Sequence, residues 1–308
     1  MADAASPSAL DAAQRAIEHT RRQLFPFRFE RWLVLGCVAF LDQCGRRSGM
    51  TGFNVPSPGG WGGGGGGPDE GDLGKFLEWL GAHAMIVAAV AAAILTIVVG
   101  FMALALWLNS RGVFMYVDNV ASGRADFERP WREHAASAAS YFAWSFGLAL
   151  TTLVVFLLLL AAAAVAVVAL VSGPRGSGLA AGLGLAAILA GLLGMILAAS
   201  LASLGLHDFV APLQMRAGVG CGAAARLFLD LVRARPGTFV VYVLLKIVFS
   251  VVAGVLMVVA ACFTCCCALL PVVMQTALQP IFYFERAWPL FLLRQLGYDL
   301  FTETAPGA

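Results

Sequence analysis

Three groups of residues in this chain are of types that do chemistry. Cys262, Cys265, Cys266 and Cys267 form C-x-x-C-C-C. Thiolates so spaced bind zinc or carry redox work when their surroundings are accessible and electropositive. No His or basic residue lies near them in sequence and the setting is apolar, so they read as small buried hydrophobes. If that turn reaches an oxidising face, a disulfide is also open to it. Cys37, Cys44 and Cys221 show no ligand spacing.

The second group is His207-Asp208, which closes a long apolar run just before Phe209 and Pro212. One His-Asp pair with no second acidic or histidine cluster is not a metal site; it reads as a polar helix end. Lys246, the third, is the one basic group well inside a predicted span, about eight residues from its boundary. It either snorkels to the near surface or takes an ion-pair or substrate role. Gln214, Gln275 and Gln279 are suited to hydrogen bonds between helices.

Six consecutive glycines at 62–67 could suggest a phosphate cradle, but no strand precedes them and no Lys-Ser or Lys-Thr follows. The chain has no G-x-S-x-G elbow and no H-E-x-x-H. No catalytic residue, cofactor or metal is therefore assigned, and the expectation is that the chain is not an enzyme.

The elements that must position these groups are helices in a membrane. Of 308 residues, 60% are hydrophobic and 12% charged, about half the charge of a soluble domain. Mean hydropathy is +0.83. Several apolar runs exceed the ~18 residues that mark a spanning helix. A net charge of +2 with no basic run gives nucleic acid nothing to bind. The N-terminus is polar, with no cleavable signal peptide visible. The lipid bilayer is the expected partner, and heavy Ala, Gly and Arg usage suggests a bacterial source.

The fold class expected is all-α: a polytopic bundle of about six spans with amphipathic interfacial helices on the cytoplasmic side. Residues 1–31 form a cytoplasmic amphipathic segment, with Leu10, Ala13, Ile17 and Leu24 on one side of a helix. The membrane domain runs over 32–290. Its spans fall near 32–41, 82–108, 139–171, 179–206, 238–262 and 268–290, and 291–308 is a cytoplasmic tail. The first run is short, and whether 32–44 fully crosses is left open. The Gly-rich loop 43–75 should be flexible and face outward.

Between the second and third spans, 109–138 carries four arginines. Val113, Phe114, Val117, Val120 and Ala121 share one helical face there, opposite Arg111, Asp118 and Ser122; Gly123 ends the helix. This predicts an interfacial helix led by Phe114 and Val117. The segment 207–237 is the second cytoplasmic stretch. With six spans, fifteen Lys and Arg fall on the side of the termini, Arg286 near the end of the sixth span included, and four opposite. Short basic loops stay in the cytoplasm, so both termini are expected inside, in a bacterial inner membrane.

Small residues recur every four positions from Gly178 through Gly182, Ala186, Ala190, Gly194 and Ala198 to Ala202, and again from Ala84 to Gly100. Such ridges are expected to pack helices inside the bundle. Aromatic, surface-seeking stretches at Val113–Val117, Phe209–Met215 and Ile281–Trp288 suggest a weak threefold hairpin repeat.

Blocks spread over nearly the whole chain carry a resemblance. They are Phe25-Pro26-Phe27 with Trp32; Ser110-Arg111-Gly112 through Phe114 and Asp118 to Pro130-Trp131-Arg132-Glu133; Asp208-Phe209-Val210-Ala211-Pro212; Tyr242 to Lys246; Thr264-Cys265-Cys266 with Pro271; Gln279-Pro280-Ile281-Phe282; and Gln295-Leu296-Gly297. Together they resemble a family of uncharacterised prokaryotic membrane proteins, distantly similar to the membrane domain beside glycerophosphoryl diester phosphodiesterases. The resemblance implies six helices and transfers no catalytic residue. Function is thus expected to be that of a scaffold or accessory subunit, meeting a protein partner through its cytoplasmic segments. A transporter or lipid-handling permease using Lys246, His207 and Asp208 is the alternative, and a membrane-embedded enzyme comes third.

Overall fold

A computed structural model describes residues 7–44, 79, 81–172, 178–263 and 272–301. The expected Gly-rich loop and Cys265, Cys266 and Cys267 lie outside them. Among the described residues there is helix and no strand. The helices are α1 (Ala9–Leu24), α2 (Phe29–Gln43), α3 (Ala84–Ser122), α4 (Glu128–Glu133), α5 (Ala135–Ser172) and α6 (Gly178–Gly205). A π-helical turn at Leu206–Val210 leads into α7 (Ala211–Ala217), then α8 (Cys221–Ala234), α9 (Pro236–Phe263), α10 (Val273–Ala277) and α11 (Gln279–Gln295).

The chain forms two units, residues 43–109 and the rest. The smaller contains the first part of α3, an apolar stretch in which Met85, Ile97 and Phe101 are exposed. In the larger unit the long helices divide along their length. The far parts of α5, α6 and α9 present Leu158, Val165, Leu193, Leu197, Val251 and Val258 outward. Their near ends gather with α1, α2, α7, α8, α11 and residues 110–122 into a head that buries Phe114, Tyr116, Phe209, Leu213, Tyr242, Phe282 and Tyr283. Apolar side chains turned outward over a span's length need lipid around them.

Four described helices, over 84–122, 135–170, 182–217 and 236–260, are long and apolar enough to cross a membrane. The two other expected spans take different forms. The run from Trp32 becomes α2, only fifteen residues and so about 22 Å long, with Trp32, Leu35, Val38 and Asp42 buried. At the other end, the chain breaks at Leu278, and Pro280 starts the separate, largely buried α11. Hydropathy registers burial in protein and burial in lipid alike, so the apolar runs at 32–41 and 268–290 do not by themselves show a crossing, and 268–271 lie outside the described residues.

The same ambiguity affected the aromatic stretches. Phe114 and Val117 are fully buried in α3, and the expected interfacial helix is the last third of that long helix. Gly123, at φ 66°, does end it. The stretches around Phe209 and Phe282 also lie inside the head. On α1 the packed face is Ala9, Ala12, Ala16, Thr20 and Leu24, while Leu10 and Ile17 are each 58% exposed. Small side chains let α1 lie close on α11, where Trp288 Nε1 donates to the Ala9 carbonyl at 2.9 Å. The ridge on α6 is not a packed face among the described residues of the larger unit. A Cβ on Gly182 or Gly194 would meet nothing within 4 Å, and Ala186, Ala190, Ala198 and Ala202 are exposed.

Candidate functional site

The head holds a buried group of ionisable residues from four elements. Asp42 ends α2, His207 and Asp208 sit in the π turn, Tyr242 and Lys246 come from α9, and Glu285 and Arg286 from α11. Asp42, His207, Asp208, Lys246 and Arg286 are each no more than 4% exposed, and Tyr242 is fully buried. Charges this deep persist only when paired or hydrogen-bonded.

The local sequence explains how the π turn is set. Pro212 has no N–H to give the Asp208 carbonyl four residues back, which removes one α-helical bond. The Ala211 N–H bonds the carbonyl of Leu206, five residues back, in place of His207. That leaves the His207 carbonyl for the side chain of Arg286, whose Nη1 donates to it at 3.0 Å. A single turn therefore presents a backbone acceptor, an imidazole and a carboxylate to the same neighbours.

Around that turn the contacts are close. Arg286 Nη2 pairs with the Asp42 carboxylate and lies against His207 Nε2. His207 Nε2 is 3.0 Å from Asp42 Oδ1, and His207 Nδ1 is 2.7 Å from Asp208 Oδ1. The Tyr242 hydroxyl donates to Asp208 Oδ2 at 2.7 Å, and Lys246 Nζ lies 3.0 Å from the same oxygen. Glu285 Oε1 is 3.4 Å from Lys246 Nζ, with the Glu285 side chain 22% exposed. Aromatic rings close the sides: Arg286 Cζ is 6.0 Å from the Tyr116 ring centre and Lys246 Nζ 5.9 Å from that of Tyr242.

The tautomer of His207 decides which neighbours its two ring nitrogens meet as donor and as acceptor. With Nδ1–H donated to Asp208, a neutral His207 offers its Nε2 lone pair to Arg286. Among the described residues, no group of three or more His, Cys, Asp or Glu is arranged to hold a metal ion.

Of the residues singled out in the sequence, the structure joins His207, Asp208 and Lys246. Lys246 does not snorkel; it is buried against Asp208 and Glu285. Phe114, Val117 and Asp118 lie elsewhere. Phe114 packs edge-on to Tyr141 at 5.8 Å, and Asp118 pairs with Arg129 and sits 3.6 Å from His134. Cys262 is exposed and unbonded. Sequence reasoning missed Asp42, Tyr242, Glu285 and Arg286. The signal was there for three of them: charged residues placed in or at the end of apolar runs, where each is costly.

A separate apolar groove of about 590 Å³ lies between α5, α6, the π turn and α8. Trp144, Gly147, Thr151, Ala202, Phe228 and Leu229 are among its walls. The Thr151 hydroxyl is turned back onto the Gly147 carbonyl at 2.8 Å, so it adds little polarity.

Helix without strand among the described residues, with four helices long and apolar enough to cross a bilayer, defines the class: a multi-pass helical membrane protein. Within that class the chain belongs to DUF7544, a family of unknown function, whose match covers residues 7–297. No curated protein and no solved structure matches the chain, and no link to glycerophosphoryl diester phosphodiesterases is found.

Proposed function

We propose that this chain is a non-enzymatic integral membrane protein acting as a scaffold or accessory subunit. Both termini and the head would face the cytoplasm of a bacterium across its inner membrane, as the Lys and Arg excess favours. The observation that carries the reading is how the buried charges are used. Lys246 pairs with Asp208 and Glu285, and Arg286 with Asp42, so the charges fasten α2, the π turn, α9 and α11 to one another. That arrangement suits a clamp that fixes one head geometry for a partner. A partner would meet the exposed ionic sides of 124–134 and 211–235, since Phe114 and Val117 are buried.

A second reading, a proton-linked permease, is favoured by His207, whose Nε2 faces both Asp42 and Arg286. One pair of experiments separates them. Photo-crosslinkers placed at Arg132 and Arg216 in native membranes should capture one discrete partner. In liposomes the purified protein should pass no more protons than empty vesicles under a pH gradient. Proton flux that disappears in a folded Lys246→Met variant would replace the scaffold with the permease.

A further inference from the structure

We infer that the groove between α5, α6, the π turn and α8 is a binding site for one acyl chain of an anionic glycerophospholipid. The inference is independent of the charged node, none of whose residues line the groove.

Two features define the ligand. The first is the tail. The walls come from two membrane-crossing helices, α5 and α6, and from the amphipathic α8 laid across their ends. The volume, about 590 Å³, lies in the range of small-molecule sites, and its one hydroxyl, on Thr151, is internally bonded. Glycine makes the space. A Cβ on Gly147 would meet nothing within 4 Å, while at Gly205 one would lie 2.9 Å from Phe228. An apolar recess open beside spanning helices takes hydrocarbon rather than water.

The second feature is charge on the outer side. Leu229 lines the groove, and its helical neighbours three residues before and four after are Arg226 and Arg233, both exposed. Across 211–235 the cations are Arg216, Arg226, Arg233 and Arg235, against one acid, Asp230, which pairs with Arg233 at 3.2 Å. Guanidinium groups beside an apolar recess match a phosphodiester above its tail. A zwitterionic lipid would offer the same tail with a compensating cation, so the charge favours an anionic headgroup.

The test uses the full-length protein in detergent, stripped of lipid and then given phosphatidylglycerol or phosphatidylcholine of identical acyl chains. Native mass spectrometry should show one phosphatidylglycerol retained per chain, with phosphatidylcholine, whose choline cation offsets the phosphodiester charge before the arginines, retained about tenfold less. Gly147→Phe, which fills the recess, should abolish retention while leaving helicity and elution volume unchanged. The double variant Arg226→Gln, Arg233→Gln, at two exposed positions, should lower phosphatidylglycerol to the phosphatidylcholine level. If Gly147→Phe fails to fold, the double variant decides alone. Equal retention of the two lipids by the wild type, retention untouched by Gly147→Phe, or a selectivity that survives the double variant overturns the assignment.

Discussion

At the residue scale, removing one partner from the node differs from removing a pair. Lys246→Met leaves Asp208 and Glu285 buried beside a thioether and should cost about 3–5 kcal/mol, seen as a lower Tm in detergent. Adding Asp208→Asn should recover most of that, because the fully buried carboxylate goes with its partner, Glu285 keeps access to water, and the amide oxygen still accepts from Tyr242. His19 gives a second case, this one with pH. Burial against Tyr283, Phe291 and Phe301 holds it below its ordinary 6.5; its hydrogen bond to the Val120 carbonyl opposes the shift, and Arg22 and Arg31 add to it. The unfolded chain therefore takes up this proton first as pH falls. Stability from this group is complete above 6.5 and declines as acid lowers the pH from there toward the depressed folded value. Thermal melts between pH 8 and pH 5 should show the decline, and His19→Phe should reduce it.

At the element scale, α2 and α3 cross backbone to backbone at Gly112. A Cβ there would stand 2.3 Å from Asp42 N and from the Leu41 carbonyl carbon, backbone atoms that cannot swing aside. Gly112→Ala should thus cost at least the ~1–3 kcal/mol of an overpacked core and displace Asp42 from the node. Gly194→Ala, on the open ridge of α6, should stay within about 0.5 kcal/mol of wild type or gain from helix propensity. Circular dichroism melts of the two variants make the comparison. These contrasts also show how much could be read beforehand. The long apolar runs, the cap at Gly123 and the unusual place of Lys246 were all visible in the chain. The node was not, because His207 reaches Asp42 across 165 positions and Arg286 reaches it across 244. Periodicity reports which face of a helix is apolar; it does not report whether lipid or another helix lies against that face. Hence Phe114 and Val117 read as membrane-seeking, and the α6 ridge as packed.

At the scale of the whole molecule, the head ties distant segments of chain to one face. Ser8 N–H donates to Gln295 Oε1 at 2.8 Å, and Arg31 Nη2 donates to the Gly123 carbonyl at 2.8 Å. Cysteines substituted for Arg15, Arg132 and Arg235, with the native cysteines replaced, should therefore all label from one side of the membrane. A cysteine at Ala180, near the start of α6, should label from the other; labelling of all four from one side would overturn a membrane crossing by α5. One further consequence follows from α5. Its 38 residues run unbroken from the head through the apolar stretch, about 57 Å in all. A continuous rod has no joint at which a tilt can be absorbed, so a tilt of about 10° moves its far end by roughly 10 Å. A change in bilayer thickness that tilts this helix would therefore displace its far end most, with the head as the pivot.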